Sequence, residues 1–225
     1  MLLLILGKGK TGSIVAEVAR ERGHSVRVLD QGENRGAAAL TAPTVAGVDV
    51  FIDFTTPDAA VENMRAVLAR GCRIVVGTTG WYEKLDEMKA LALRRGGSLI
   101  YGSNFSVGMQ KFFRLAESLA QLDGYTFDIR ETHHTSKLDS PSGTALVVRQ
   151  IVEAAHPGTK VEIESHRVGD AAGEHVVSAR CDYDTLELKH ESHNRRGFGL
   201  GAVRAAEWLC GRSGVWDFRE IFDQL

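Results

Sequence analysis

The chain changes its hydrophobic period several times along its length. Leu2–Leu6 is an unbroken apolar run, the pattern of a strand buried on both faces. Apolar positions over Ser13–Arg22 recur every three to four residues, which predicts a helix stopping at Gly23, and Ser25–Leu29 reads as a strand again. The exchange then repeats. Strands are predicted over Val48–Thr55, Cys72–Gly77 and Ser98–Tyr101, with helices over Pro57–Arg70 and Tyr82–Arg95; Pro57 suits a first helical turn. Residues 31–47, rich in Gly, Ala and Thr, read as a loop with at most a short helix. Strands alternating with helices imply a parallel, doubly wound sheet, which takes its ligands at the carboxyl ends of the strands.

Beyond Gly108 the order differs. A helix pattern over Met109–Leu122 leads into the alternating strand Tyr125–Glu131, and a helix over Thr144–Ala155 precedes three strand-like runs, Lys160–Arg167, Glu174–Cys181 and Thr185–Ser192. Helix and sheet segregate here, the mark of an α+β unit. Asn194–Gly201 reads as a loop, Ala202–Cys210 as a helix and Trp216–Phe222 as a short tail.

The first loop carries chemistry. Gly7, Lys8, Gly9, Lys10, Thr11 and Gly12 join the first strand to the first helix, and the second strand ends at Asp30. Strand, G-x-G-x-x-G, helix, strand, acid is the dinucleotide-binding fingerprint in full context: glycines for a tight turn and close approach of a pyrophosphate, an acid for ribose hydroxyls. Read as the end of a Walker A loop, Gly9-Lys10-Thr11 fails, because Leu4 stands where that loop needs a glycine. A glycine turn without a ligand leaves Asp30 unexplained. The expected fold is therefore α/β: a Rossmann-like parallel-sheet domain over residues 1–105 and an α+β domain over residues 106–201. Gly77-Thr78-Thr79-Gly80 and Gly102-Ser103-Asn104-Phe105 also lie at strand ends, where turn chemistry and ligand binding are both open readings.

Composition narrows the partners. A net charge of −2 gives no basic excess for nucleic acid or an anionic membrane. Met1–Leu6 is too short to span a bilayer and lacks the basic start of a signal peptide. Cys72, Cys181 and Cys210 are scattered and odd in number, as expected of a reduced, cytoplasmic protein.

The densest chemistry lies in Glu131-Thr-His133-His134-Thr-Ser-Lys137-Leu-Asp139-Ser-Pro-Ser142-Gly143-Thr144-Ala145. It falls between a predicted strand and a predicted helix, so Ser142, Gly143 and Thr144 would open a helix whose unpaired amides and positive dipole end favour an anion. Lys137 adds a mobile cation, and the two histidines titrate near neutrality. Singly, each has a plainer reading: a cap, a surface lysine, a satisfied histidine. Together they imply a site for a small carboxylated substrate. Most remaining histidines of this half read as solvent-facing strand residues. His190-Glu-Ser-His193 has the wrong spacing for H-E-x-x-H, and no metal is expected.

That fifteen-residue stretch, with the glycine loop, Phe51-Ile-Asp-Phe-Thr55, Gly77–Gly80, Asn104–Gly108 and Gly201-Ala-Val-Arg-Ala-Ala-Glu-Trp-Leu209, resembles dihydrodipicolinate reductases in order along almost the whole chain. The resemblance implies NAD(P)H-dependent reduction of 4-hydroxy-tetrahydrodipicolinate, a cyclic imine dicarboxylate, with loss of water, in lysine and diaminopimelate synthesis. It implies a homotetramer built by the second domain, with residues 202–225 returning to the nucleotide domain. Carried over by position, His133 is the acid/base histidine and Lys137 the proton donor. His134, Gly143 and Thr144 hold the substrate carboxylates, with Ser142 and Thr79 beside them. Gly7–Gly12 cradle the pyrophosphate, Asp30 the ribose, and Gly77–Thr79 with Gly102–Phe105 the nicotinamide. This chain has Thr132 where many relatives have alanine, and a short segment after Asp30. It has Gln31 where some relatives carry an arginine that would pair with a 2′-phosphate. Asp30 would repel that phosphate, so NADH is the expected preference, with Lys8, Lys10 or Arg35 still able to admit NADPH. Another imine reductase or amino-acid dehydrogenase would need a different substrate loop, and a nucleotide sensor would be free to lose both His133 and Lys137.

Overall fold

The computed structural model describes residues 1–225. From the start of the chain come β1 (Leu2–Leu6), α1 (Lys10–Glu21), β2 (Ser25–Leu29), α2 (Ala42–Val45), β3 (Val50–Asp53), α3 (Pro57–Leu68), β4 (Arg73–Val76), α4 (Leu85–Arg95) and β5 (Ser98–Tyr101). The middle of the chain forms α5 (Val107–Leu119), β6 (Thr126–His133), α6 (Gly143–Ala155), β7 (Glu162–Arg167), β8 (Glu174–Arg180) and β9 (Thr185–Glu191). It closes with α7 (Arg196–Leu209), β10 (Gly214–Asp217) and α8 (Phe218–Ile221). Two compact units result: Met1–Val107 with Arg196–Leu225, and Gly108–Arg195. No helix is long and apolar enough to cross a membrane.

In the first unit six parallel strands lie in the order β10-β5-β4-β3-β1-β2. The unbroken apolar run of β1 is explained by its two faces. Leu3 and Ile5 pack with Val15 and Ala19 of α1 and Val203 and Ala206 of α7, whereas Leu4 and Leu6 pack with Met64 and Leu68 of α3 and Met88 of α4. Each such side chain, wholly buried, contributes about 1.5–3 kcal/mol.

Two expectations are corrected here. Residues 196–201 are not a loop: α7 starts at Arg196 and belongs with the first unit, so the second unit ends at Arg195 rather than at residue 201. The glycines that mimic a loop in the sequence are contact surface. A Cβ on Gly201 would sit 1.7 Å from the Phe105 carbonyl oxygen, and one on Gly199 would sit 3.0 Å from Ile14. The short closing tail contains a strand that the sequence pattern does not announce. Its residues Gly214–Asp217 extend the sheet beside β5, and Asp217 then caps α8 through a capping box.

The second unit is a mixed sheet, β7-β6-β8-β9, in which β6 runs parallel to β7 and antiparallel to β8. Phe112 and Phe113 of α5 and Val148 and Val152 of α6 pack with Ile129 and Val177 of the sheet. β6 runs two residues beyond its expected end, to His133. The polar stretch therefore begins inside a strand, which decides where its first side chains point.

Candidate active site

In the first unit, neighbours of β1 diverge, β3 to one side and β2 to the other. The crevice at this switch point is where such sheets take a ligand. A cleft of about 400 Å³ opens there, lined by Gly7, Lys8, Asp30, Arg35, Thr55 and Asn63 among others. A second hollow of about 350 Å³ is lined by Lys10, Thr11, Thr78 and Thr79, with Phe54 and Gly77.

The glycine loop fits a close-lying phosphate. Gly7 has φ +102°, and a Cβ there would fall 2.2 Å from the Phe54 carbonyl oxygen; one on Gly12 would fall 2.1 Å from that of Gly7. No larger residue fits either position. α1 starts at Lys10 with Gly9 as its N-cap, no side chain caps it, and no acid occupies its first turn. Its first amides thus present positive potential to an anion. Asp30 accepts from the amides of Gly32 and Glu33 at 2.8 and 2.9 Å through Oδ1, which fixes its carboxylate at the rim.

Behind the cleft residues Thr55 and Asn63, the Asp53 carboxylate is wholly buried. It accepts from the Thr55 amide (3.1 Å), the Thr55 hydroxyl (2.7 Å), the Thr78 hydroxyl (2.7 Å) and the Asn63 side-chain amide (2.7 Å). Burial pushes its pKa up, while these donors oppose the rise. Thr78 is consequently turned inward, and Thr79 is the exposed member of the pair. At the end of β5, Ser103 is exposed and Asn104 accepts from the Ser106 amide at 2.9 Å. Phe105 is a core residue, its ring 4.4 Å from that of Phe218, so its side chain does not line the cleft as expected. A Cβ on Gly102 would press on Phe218 at 2.9 Å.

In the second unit the inward face of β6 carries Ile129, Glu131 and His133. Glu131 is wholly buried. Its Oε1 accepts from the Ser142 amide and from the Arg167 guanidinium, each at 3.0 Å, and its Oε2 lies 2.9 Å from His133 Nδ1. Burial would raise its pKa, but the donors of Ser142 and Arg167 prevail and hold it down at about 2. The carboxylate is therefore ionised. Burial lowers the pKa of His133, opposed by the charge of Glu131, so its imidazole is neutral at rest near neutrality. His175 stands edge-on to it, ring centroids 5.0 Å apart, with Nε2 3.3 Å from the Ser142 hydroxyl. Burial first, then His133, pushes His175 down to about 3.

His175 departs from the reading of most of these histidines as solvent-facing: it is buried on an interior strand. Strand pairing sets Ser165, Glu131, His175 and His190 in one row across the sheet. Glu131, His133 and His175 are also of metal-ligand type and bring their ligand atoms within 4.8 Å of one another. The Arg167 guanidinium on the same carboxylate already supplies the positive charge that a cation would bring.

His134 leaves the strand on the other side, its Nδ1 2.8 Å from the Ser136 hydroxyl. Lys137 pairs with Asp139 at 2.7 Å. The Asp139 carboxyl is held below its usual range first by that lysine and also by the backbone of Gly143. Ser142 is the N-cap of α6 and is buried, its hydroxyl accepting from the Ala145 amide and its own amide given to Glu131. It organises the helix start rather than offering a free donor. Gly143 is exposed and Thr144 half-buried at the first turn.

Models of the N- and C-terminal domains of dihydrodipicolinate reductase match residues 1–105 and 108–222. The 4-hydroxy-tetrahydrodipicolinate reductase of Christiangramia forsetii is 32% identical over all of this chain and 99% of its own length. The chain belongs to the dihydrodipicolinate reductase family. The 4-hydroxy-tetrahydrodipicolinate reductase of Natronomonas pharaonis is 34% identical over 98% of this chain and 99% of its own length. Among solved structures, the dipicolinate-bound dihydrodipicolinate reductase of Paenisporosarcina sp. TG-14 shares the fold of this family member with a TM-score of 0.81, 24% identity, and coverage of 100% of this chain and 99% of that one.

The site residues least legible in the sequence of this reductase-family chain are mostly inward-facing. Glu131 was open to detection, since the alternation of Tyr125–Glu131 places a carboxylate on the apolar face. Arg167 and His175 gave no local signal; only strand pairing brings them to it.

Proposed function

We propose that this chain reduces 4-hydroxy-tetrahydrodipicolinate to tetrahydrodipicolinate with NADH, releasing water. The observation that carries the proposal is the second unit's loop: an imidazole backed by a buried ionised carboxylate, with a lysine and a helix N-terminus beside it. The first unit adds a phosphate cradle that only glycine fits.

Bound in the first unit's cleft, a reduced nicotinamide would supply the hydride. Gly7–Gly12 would hold its pyrophosphate, Asp30 a ribose, and the loops at Thr78–Thr79 and Gly102–Asn104 would flank the ring. His134, Gly143 and Thr144 would take the substrate carboxylates, and neutralising them also orients the ring to be reduced. Loss of the 4-hydroxyl with a neighbouring ring proton, as water, makes the ring imine conjugated; hydride addition to it then leaves an electron-rich enamine that needs a proton at carbon. Lys137 would deliver it, with His133 as acid/base partner and Glu131 stabilising the imidazolium. Asp30 followed by Gln31 favours NADH, because no cation stands next in sequence for a 2′-phosphate. A homotetramer, the family's assembly, would show in light scattering at four times the mass of one 24.5 kDa chain.

The test is substrate-dependent oxidation of NADH, with NADPH in parallel, using substrate generated in situ from pyruvate and aspartate semialdehyde by its synthase. Oxidation lost by about 10²-fold or more in His133→Gln and in Lys137→Ala is the expected result. Tight NADH binding with no oxidation would instead favour a sensor, and equal kcat/KM for both cofactors would remove the NADH preference.

A further inference from the structure

The buried polar residues of the first unit form a directed chain. The Ala39 amide donates to Asn34 Oδ1 (3.2 Å), Asn34 Nδ2 to Asn63 Oδ1 (2.8 Å), and Asn63 Nδ2 to Asp53 Oδ2 (2.7 Å). On the other carboxylate oxygen, the Thr78 hydroxyl donates at 2.7 Å and itself accepts from the Thr55 amide at 2.7 Å. Asn34, Asn63, Asp53 and Thr78 are all buried. The two ends differ in what they hold. Asn34 follows Asp30, whose carbonyl accepts from its amide, and it lies on the cleft wall with Arg35. Thr78 opens the loop that carries Thr79 in the second hollow, and its carbonyl accepts from the Trp81 indole at 2.7 Å.

The polarity of this chain is fixed at both ends. A backbone N–H at Ala39 cannot become an acceptor, and a carboxylate at Asp53 cannot become a donor. Neither asparagine can flip without setting two donors face to face, a costly arrangement in a buried site.

We infer that Asp53, acting through Asn63 and Asn34 on one side and Thr78 on the other, is a positioning residue that sets both ends of the dinucleotide cleft at once. Asp53 is wholly buried, so its effect on a ligand would pass through these neighbours. It fixes the loop after β2 that presents Asp30 and the loop after β4 that presents Thr79. The inference rests on the reading of this cleft as the dinucleotide site.

The donor pattern supplies the test. Asp53→Asn puts an amide where Asn63 donates, and flipping Asn63 and Asn34 in turn only moves the conflict to the Ala39 N–H. Asp53→Asn with Asn63→Asp restores every bond: the amide of residue 53 donates to the carboxylate of residue 63, which still accepts from Asn34. The expected result is a rise of roughly tenfold in the Kd of both NADH and ADP-ribose for Asp53→Asn, and recovery in the double variant. ADP-ribose lacks nicotinamide, so its weakening reports the far end of the relay. A change in NADH affinity with unchanged ADP-ribose affinity overturns the inference, as does a folded double variant that stays weak. If the Asp53 variants do not fold, Asn34→Ala reads the relay from its other end. It should raise KM for NADH and lower kcat together, and an unchanged kcat overturns the inference. Failure of the unaltered protein to bind ADP-ribose or NADH would instead refute the reading of the cleft.

Discussion

At the scale of single residues, Glu131 sets the protonation of the site. Its charge raises the pKa of His133 against the depression caused by burial. Removing that charge in Glu131→Gln should lower the pKa of His133 further and shift the acid limb of the kcat profile to lower pH. A fall in kcat of about one to two orders of magnitude should accompany it, with little change in KM. An unmoved acid limb would contradict this role. Gly173 is the complementary test. It has φ +140°, and a Cβ there would lie 3.1 Å from His133 Nε2. Gly173→Ala should therefore displace the imidazole and reduce kcat, at a stability cost of about 1–2 kcal/mol, readable by urea unfolding beside the kinetics. Glu131 and His133 were within reach of the sequence because alternation assigns both to the inward face. Arg167 and His175 were not, since register between strands distant in sequence is set by packing that no local pattern records.

At the scale of elements, glycine content misled in one place and informed in another. In Gly7–Gly12 the glycines follow an apolar strand and precede an amphipathic helix, so their context declares a turn. Gly197, Gly199 and Gly201 lie inside α7, spaced two apart, and read as a loop until the neighbouring backbone is seen. Gly201 faces the Phe105 carbonyl, and the same backbone stretch follows Ser103 and Asn104, the loop proposed to flank the cofactor. Gly201→Ala should thus destabilise the first unit by about 2–3 kcal/mol and weaken NADH binding in parallel. A stability loss without a change in NADH affinity would separate the helix from the loop. β10 escaped prediction for a simpler reason: four half-buried residues at a sheet edge are too short for a period to show.

At the scale of the whole molecule, buried histidine makes the fold acid-sensitive. His175 falls from an ordinary 6.5 to about 3 in the folded chain, so below 6.5 the unfolded chain binds a proton that the folded one refuses. The contribution of neutral His175 is complete above pH 6.5 and is lost as pH falls towards 3, at up to about 1.4 kcal/mol per unit. Glu131 acts in the same direction lower down: its contribution is present above its ordinary 4.5 and disappears as pH falls to about 2. His175→Asn should be less stable at neutral pH yet show a shallower loss between pH 6.5 and 4 by denaturant midpoint. Equal slopes in the two proteins would refute the assignment. The division into a parallel-sheet unit and a mixed-sheet unit was legible from the change in periodicity at Gly108, whereas the side to which residues 196–201 belong depended on packing.

Lys137 and the start of α6 already have an anion among them. Asp139 pairs at 2.7 Å with that lysine, the proposed proton donor, and draws on the backbone of Gly143, which is proposed to receive a substrate carboxylate. On that proposal, substrate arrival would exchange one carboxylate for another at the start of α6, and its affinity would be the difference between an incoming ligand and a tethered competitor. Asp139→Asn should tighten binding of a dicarboxylate such as dipicolinate by calorimetry, while product release slows; weaker binding would mean that Asp139 builds the pocket instead of contending for it.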